Sequence, residues 1–173
     1  MRTMKLAMCV AVVALAGAGL WAQPAGSGSG EGTVFQNFPS ALGAYGNIMT
    51  GGGLTYQRWF GRTGLEATLG ATVENAGSFY YSVQGAFQYL LFGEDFANWF
   101  SGALYTNVLL AHTADGSSDT AAPSYTPYGH LGLGVGIEMV FLRHLSTGVE
   151  FMYVGRIPLK VDFSVGGSLK YRF

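Results

Sequence analysis

The sequence predicts an all-β protein: an eight-stranded, antiparallel, up-and-down transmembrane β-barrel over residues 41–173. Three observations predict it. First, the stretch 161–173 alternates Val161, Phe163, Val165, Gly167, Leu169, Tyr171 and Phe173 with Asp162, Ser164, Gly166, Ser168, Lys170 and Arg172. A period of two sets these on opposite faces of one strand, the first apolar and the second small, polar or charged. Second, charged residues make up only 11% of the chain while aromatics reach 14% and glycines number 27, where soluble domains carry about 25% charge. Glycines spread through apolar stretches count against helices, at roughly 1 kcal/mol each relative to Ala. Third, residues 1–22 read as a secretory signal peptide, with Arg2 and Lys5 ahead of an apolar, small-residue run at 6–20 and cleavage after Ala22. That run falls short of the roughly 20 predominantly apolar residues a spanning helix needs. An exported strand with an oily outer face calls for an oily solvent, and there the sheet has to close on itself to pair its backbone.

Composition excludes several alternatives. Cys9 lies ahead of the apolar run, whereas a lipid-anchor signal has its cysteine after it, so the mature chain holds no cysteine for disulfides or thiolate metal sites. Lys plus Arg number 9 against Asp plus Glu 10; taking Arg2 and Lys5 away with the leader leaves 7 against 10, a net of −3, which is no nucleic-acid-binding surface. The mean hydropathy of +0.27 is modest because only alternate barrel residues face lipid.

Residues 23–40, with GSGSGEG at 26–32, read as a flexible Gly/Ser-rich segment whose apolar part, 33–38, can pack or extend the first strand. The first strand, 41–50, carries Leu42, Ala44 and Tyr45 and ends at a Gly51-Gly52-Gly53 turn. The second, 53–60, sets Leu54, Tyr56 and Phe60 on one face before a turn at Gly61-Arg62. The third, 64–74, opposes Leu65, Ala67, Leu69, Ala71 and Val73 to Glu66, Thr68, Gly70, Thr72 and Glu74; Asn75-Ala76-Gly77 turns it. The fourth, 78–92, opposes Phe79, Tyr81, Val83, Phe87, Tyr89 and Leu91 to Ser82, Gln84 and Gln88, and a turn is expected at Gly93-Glu94-Asp95. The fifth, 97–111, is apolar on both parities. The sixth, 128–142, opposes Leu131, Leu133, Val135, Ile137, Met139 and Phe141 to His130, Gly132, Gly134, Gly136 and Glu138. The seventh, 145–155, sets Leu145, Val149, Phe151 and Tyr153 against Ser146, Gly148, Glu150 and Met152, and 156–159 leads into the last.

With both termini on the periplasmic side, the one long connection, 112–127, falls outside, the usual asymmetry of bacterial membrane barrels. Eight strands enclose only enough room for side chains. The inward parity supplies a polar network of Glu66, Gln84, Gln88, His130, Glu138, Glu150, Lys170 and Arg172. Buried charges of this kind have to be paired. Glu138 and Glu150 fall opposite each other in one allowed hairpin register and one pair apart in the next, so an acid/base couple competes with a salt-bridge network, and the network is preferred. No catalytic constellation, cofactor site or metal site is predicted: Gly-x-Ser-x-Gly, His-Glu-x-x-His and phosphate-loop patterns are missing. Asp115 and Asp119 lack calcium-loop spacing and read as a solvated loop. Aromatics gather near strand ends, Trp59, Phe60, Phe92, Phe96, Trp99 and Phe141 toward one rim and Phe79, Tyr80, Tyr125, Tyr128 and Tyr153 toward the other, as in membrane belts.

The chain resembles the small eight-stranded outer-membrane barrels of the OmpX, OmpA-membrane-domain and OmpW kind over 41–173. The most specific element is the final strand, where Leu169, Tyr171 and Phe173 match the assembly signal of such proteins; Ser168 stands where that signal has glycine. The resemblance implies a monomer in the outer membrane of a diderm bacterium, with outer-membrane lipid and the barrel-assembly machinery as partners. Members of this group act as anchors, adhesins, narrow channels or lipid-modifying enzymes. The expected function is non-enzymatic, with a filled interior and a surface-exposed loop at 112–127 that binds an extracellular ligand or supports envelope integrity. The alternatives are a narrow channel for small or apolar solutes, suggested by the Gly132, Gly134, Gly136 row, a lipid-modifying enzyme using His130 with Glu138 or Glu150, and a soluble lipocalin-like barrel.

Overall fold

The computed structural model describes residues 33–73, 78–117, 124–157 and 160–173; the expected signal peptide, 1–22, and the 23–32 stretch lie outside the described residues. A single helical turn, α1 (Val34–Asn37), precedes β1 (Ser40–Asn47), β2 (Gly51–Phe60), β3 (Thr63–Val73), β4 (Ser78–Ala97), β5 (Phe100–Ser117), β6 (Ser124–Phe141), β7 (Leu145–Arg156) and β8 (Lys160–Arg172). Each strand pairs antiparallel with its neighbour in sequence. β1 pairs with β8 from Ala41↔Arg172 to Asn47↔Gly166, which closes the ring. The end holding α1, Phe173 and the turns after β2, β4 and β6 is called the lower end.

Strand alternation separates the two faces of the wall. On β6, Leu131, Leu133, Val135 and Ile137 are 44–60% exposed, while His130 and Glu138, which flank them on the other parity, are 3% and 0% exposed. The parity left open by the sequence on β5 is settled by Ala103, Tyr105, Asn107, Leu109 and Ala111, all buried inside. This is a polar interior under an apolar exterior, the reverse of a soluble barrel.

The connections differ from expectation at four places. β1 ends at Asn47, whose side-chain Oδ1 accepts hydrogen bonds from the N–H of Met49 (2.9 Å) and Thr50 (3.2 Å). This Asx turn moves the reversal to Ile48–Thr50, so the three glycines begin β2 instead of forming the turn. The expected turn at Gly93-Glu94-Asp95 is strand: β4 continues to Ala97, with irregularities between Leu90 and Phe92 and between Asp95 and Ala97 that absorb the extra residues as bulges. Phe92↔Leu104 pairing and stacking of Phe96 on Phe100 (centroids 5.7 Å) hold this extension. The loop expected at 112–127 is largely ladder, with β5 and β6 paired from His112↔Gly129 to Ser117↔Ser124. Its tip, 118–123, and with it Asp119, lies outside the described residues. Finally, the segment 23–40 is not flexible throughout: its apolar part packs, as its composition allowed, with α1 inside the barrel mouth, and Ser40 opens β1.

The β6–β7 turn fixes the hairpin register. Leu142 and Arg143 have φ of 52° and 67°, and His144 N–H donates to Phe141 O at 3.1 Å. Two successive left-handed residues match the twist of a hairpin, as in type I′ turns. The register pairs Glu138 with Gly148 and Glu150 with Gly136, so the two carboxylates lie diagonal to each other and not opposite.

Candidate functional site in the barrel interior

The interior is organised around two cations on β8. Arg172, fully buried, donates through Nη2 to Glu138 Oε1 at 2.7 Å and to Gln57 Oε1 at 2.8 Å, and through Nη1 to Phe38 O at 3.1 Å. Ser146 Oγ donates to the same Glu138 oxygen. Lys170 Nζ donates to Glu66 Oε2 at 2.9 Å and lies 3.9 Å from Glu138 Oε1. Gln57 Nε2 reaches Gln88 Oε1 at 2.8 Å and Glu138 Oε2 at 3.3 Å. Charges this deeply buried are tolerable only when paired and hydrogen-bonded, and here β2, β3, β6, β7 and β8 all contribute partners.

Above this cluster Glu150 has a different environment. Its two oxygens accept from Tyr45 OH at 2.9 Å and Tyr105 OH at 2.8 Å. Gln84 is held by Thr50 and Ser82, donating to Thr50 O at 3.0 Å and Ser82 Oγ at 2.7 Å. His130 Nε2 meets Thr113 Oγ1 at 3.0 Å. Between Tyr45, Glu66, Thr68, Gln84 and Glu150 lies a cavity of about 10 Å³, room for one water.

Two of the sequence-derived alternatives meet geometric obstacles here. His130 and Glu138 share β6 eight residues apart, and Glu150 stands opposite Gly136. At about 3.4 Å per residue these separations are roughly 27 Å and 20 Å along the strand. His130 therefore forms no acid/base couple with either carboxylate. The Gly132, Gly134, Gly136 row does not line an open wall: Leu109 and Met152 fill the space over Gly132, Met152 that over Gly134, and the Tyr105 ring that over Gly136.

The lower mouth is closed by 33–38, the apolar part of the Gly/Ser-rich segment, which the sequence allowed to pack without saying against what. Val34 and Phe35 are 3% and 1% exposed and pack with Trp59, Ala103, Tyr105 and Val140. Phe35 meets Trp59 edge-on at 6.3 Å, Trp59 meets Tyr105 edge-on at 5.9 Å, and the Arg172 guanidinium sits 4.7 Å over the Phe35 ring. Gln57, Tyr45, Tyr105 and Phe35 were not picked out as interior residues. The apolar run at 33–38 pointed to packing there but not to Phe35 as an interior residue.

On the outside, Leu169, Tyr171 and Phe173 of the final strand are 54–58% exposed, and Tyr171 stacks on His144 at 5.3 Å. Ser168 pairs with Gly148, and its hydroxyl occupies the space a Cβ there would take.

A closed, eight-stranded, up-and-down ring with an ion-paired core and an apolar wall defines the class of small transmembrane-type barrels. Among solved structures the chain is similar to the N-terminal β-barrel domain of Pseudomonas aeruginosa OprF, with a TM-score of 0.53 at 14% identity over 78% of this chain and 96% of that one. Neisserial surface protein A, NspA, gives 0.44 at 13% over 78% and 95%, and Ail, the attachment invasion locus protein of Yersinia pestis, gives 0.41 at 14% over 78% and 97%. The likeness is one of fold. No protein-family model matches the sequence, and no curated protein matches it.

Proposed function

We propose that this chain is an integral outer-membrane protein, exported by its leader and non-enzymatic, whose closed barrel serves surface interaction or envelope integrity. The lower end then faces the periplasm and the β5–β6 hairpin projects outward. One observation carries the reading. Between Arg58 and Glu94 near the lower end and His112 toward the upper, the described outward-facing residues of the wall carry no charge, while the charged side chains of the barrel body lie inside. Such a surface suits hydrocarbon. Among the described residues no helix is long and apolar enough to cross a membrane, so the strands would do the crossing.

Refolded into detergent or vesicles, the mature chain is expected to migrate on SDS gels at a different position before and after boiling, and to leave planar bilayers silent. A mature chain that stays soluble and monomeric without detergent would sink the membrane reading, and steady conductance would sink the closed interior. For the surface role, removing the tip at 118–123 while keeping the β5–β6 ladder is expected to reduce cell-surface binding or envelope resistance to detergents. Unchanged behaviour in both assays argues against it.

A further inference from the structure

The seam between β1 and β8 runs from Ala41↔Arg172 to Asn47↔Gly166, no longer than the ladder between β2 and β3, with reciprocal bonds between Ser40 and Phe173 (3.2 and 2.9 Å) at its lower end and Ile48 N–H donating to Val165 O (3.2 Å) at its upper end, whereas β7 and β8 pair from Leu145↔Tyr171 to Arg156↔Lys160. We propose that residues 33–38 form an intramolecular clasp that holds this seam shut, so that closure of the ring depends on chain lying outside the barrel wall.

The clasp engages β8 in two ways. From inside, Arg172 donates to Phe38 O at 3.1 Å and covers the Phe35 ring at 4.7 Å. Below the rim, the Phe38 ring packs edge-on against His144 at 4.6 Å, and His144 in turn stacks on Tyr171 and makes a 2.8 Å hydrogen bond between Nδ1 and Arg172 O. The clasp's other anchors lie away from the seam. Val34 N–H donates to Asp95 Oδ1 at 3.1 Å on β4, and Trp59 N–H of β2 donates to Pro39 O at 2.8 Å. Residues 33–39 thus span the lower mouth from β4 to β8, and the ring cannot open at the seam without breaking the Arg172 and Phe38 contacts. The same contacts hold Phe35 over the core, so one segment seals the mouth and secures the joint. Neither function depends on what the outer surface binds.

The test is residue-resolved amide hydrogen exchange on the full mature chain refolded in detergent, comparing wild type with the Phe35→Ala, Phe38→Ala double variant. Neither residue belongs to the barrel strands. The amides of β1 and β8 are expected to exchange at least about tenfold faster in the variant, with β4 and β5 protected as before, because loss of a local constraint lowers the free energy of local opening only. Equal acceleration in every strand would mean general destabilisation and would overturn the proposal, as would unchanged exchange at the seam. Should the double variant fail to fold, a Val34→Cys, Asp95→Cys pair bridged by a short bis-maleimide, which adds to both thiols, gives the complementary measurement. Linked protein is expected to show slower seam exchange than unlinked protein; equal rates would refute the clasp.

Discussion

Arg172 joins β8 to β2, to β6 and to the segment before β1 with a single guanidinium. Arg172→Met leaves Glu138 buried and short of its nearest cation, and an uncompensated buried charge costs about 3–5 kcal/mol. Adding Glu138→Leu is expected to recover most of that loss, since an apolar pair of similar volume is often neutral or better than a buried ion pair. Urea unfolding of vesicle-refolded protein, followed by tryptophan fluorescence, measures both variants and their coupling. Tyr45→Phe removes one of the two hydroxyls that donate to Glu150, and the expected loss in the same assay is about 1.5–3 kcal/mol. At this scale the sequence is only partly informative. Parity assigns each side chain to a face but not to a partner across the ring, so the bond between Lys170 and Glu66, 104 positions apart, cannot be read from spacing. Tyr45, named only as a first-strand residue, and Tyr105 were not assigned to the interior because an inward tyrosine looks like an apolar residue until the carboxylate it serves is in place.

The β6–β7 turn sets two bulky residues, Leu142 and Arg143, in left-handed backbone. Each such residue costs roughly 1–2 kcal/mol, while Asn and Gly suit this geometry. Leu142→Asn with Arg143→Gly is therefore expected to raise stability by about 1 kcal/mol without changing the β6–β7 register, readable as a shift of the urea midpoint. Gly136→Val tests packing on the same hairpin. Its new side chain would enter the Tyr105 ring's position, and overpacking of this kind costs about 1–3 kcal/mol, visible as lost refolding yield. Strands with clean alternation, such as β3, β6 and β8, were legible because period two is the geometry of a pleated wall. The lower part of β4 was not, because Gly93-Glu94-Asp95 is ordinary turn chemistry and only pairing with β5, through bulges, makes it strand. Residues 33–38 were legible as a packing segment, but where they pack depends on a mouth that exists only once the ring is closed.

For the molecule as a whole, the apolar wall separates two solvents. Leu133, near the middle of β6, is 60% exposed on the outward face. In water Leu133→Arg at such a position would be nearly neutral, whereas on the lipid face of a barrel near the midplane it costs about 2–4 kcal/mol. Refolding the variant into vesicles and measuring its unfolding free energy decides between the two, and a neutral result would argue against a bilayer. The fold was legible at this scale because closure follows from alternation, strand number and the need to pair every backbone group. The role was not, since a barrel of this size accommodates many and the outermost hairpin carries little distinctive chemistry.

The placement of charge inside the ring has a bearing on how the protein is made. Glu66, Glu138 and Glu150 come from β3, β6 and β7, while Lys170 and Arg172, which bond to Glu66 and Glu138, both come from β8. A sheet assembled from the first seven strands would thus gather its acids with neither of these cations to balance them. A nascent chain that has not yet delivered β8 is electrostatically incomplete as well as open. β8 thus brings both the edge that closes the ring and the counter-charges that make its core tolerable.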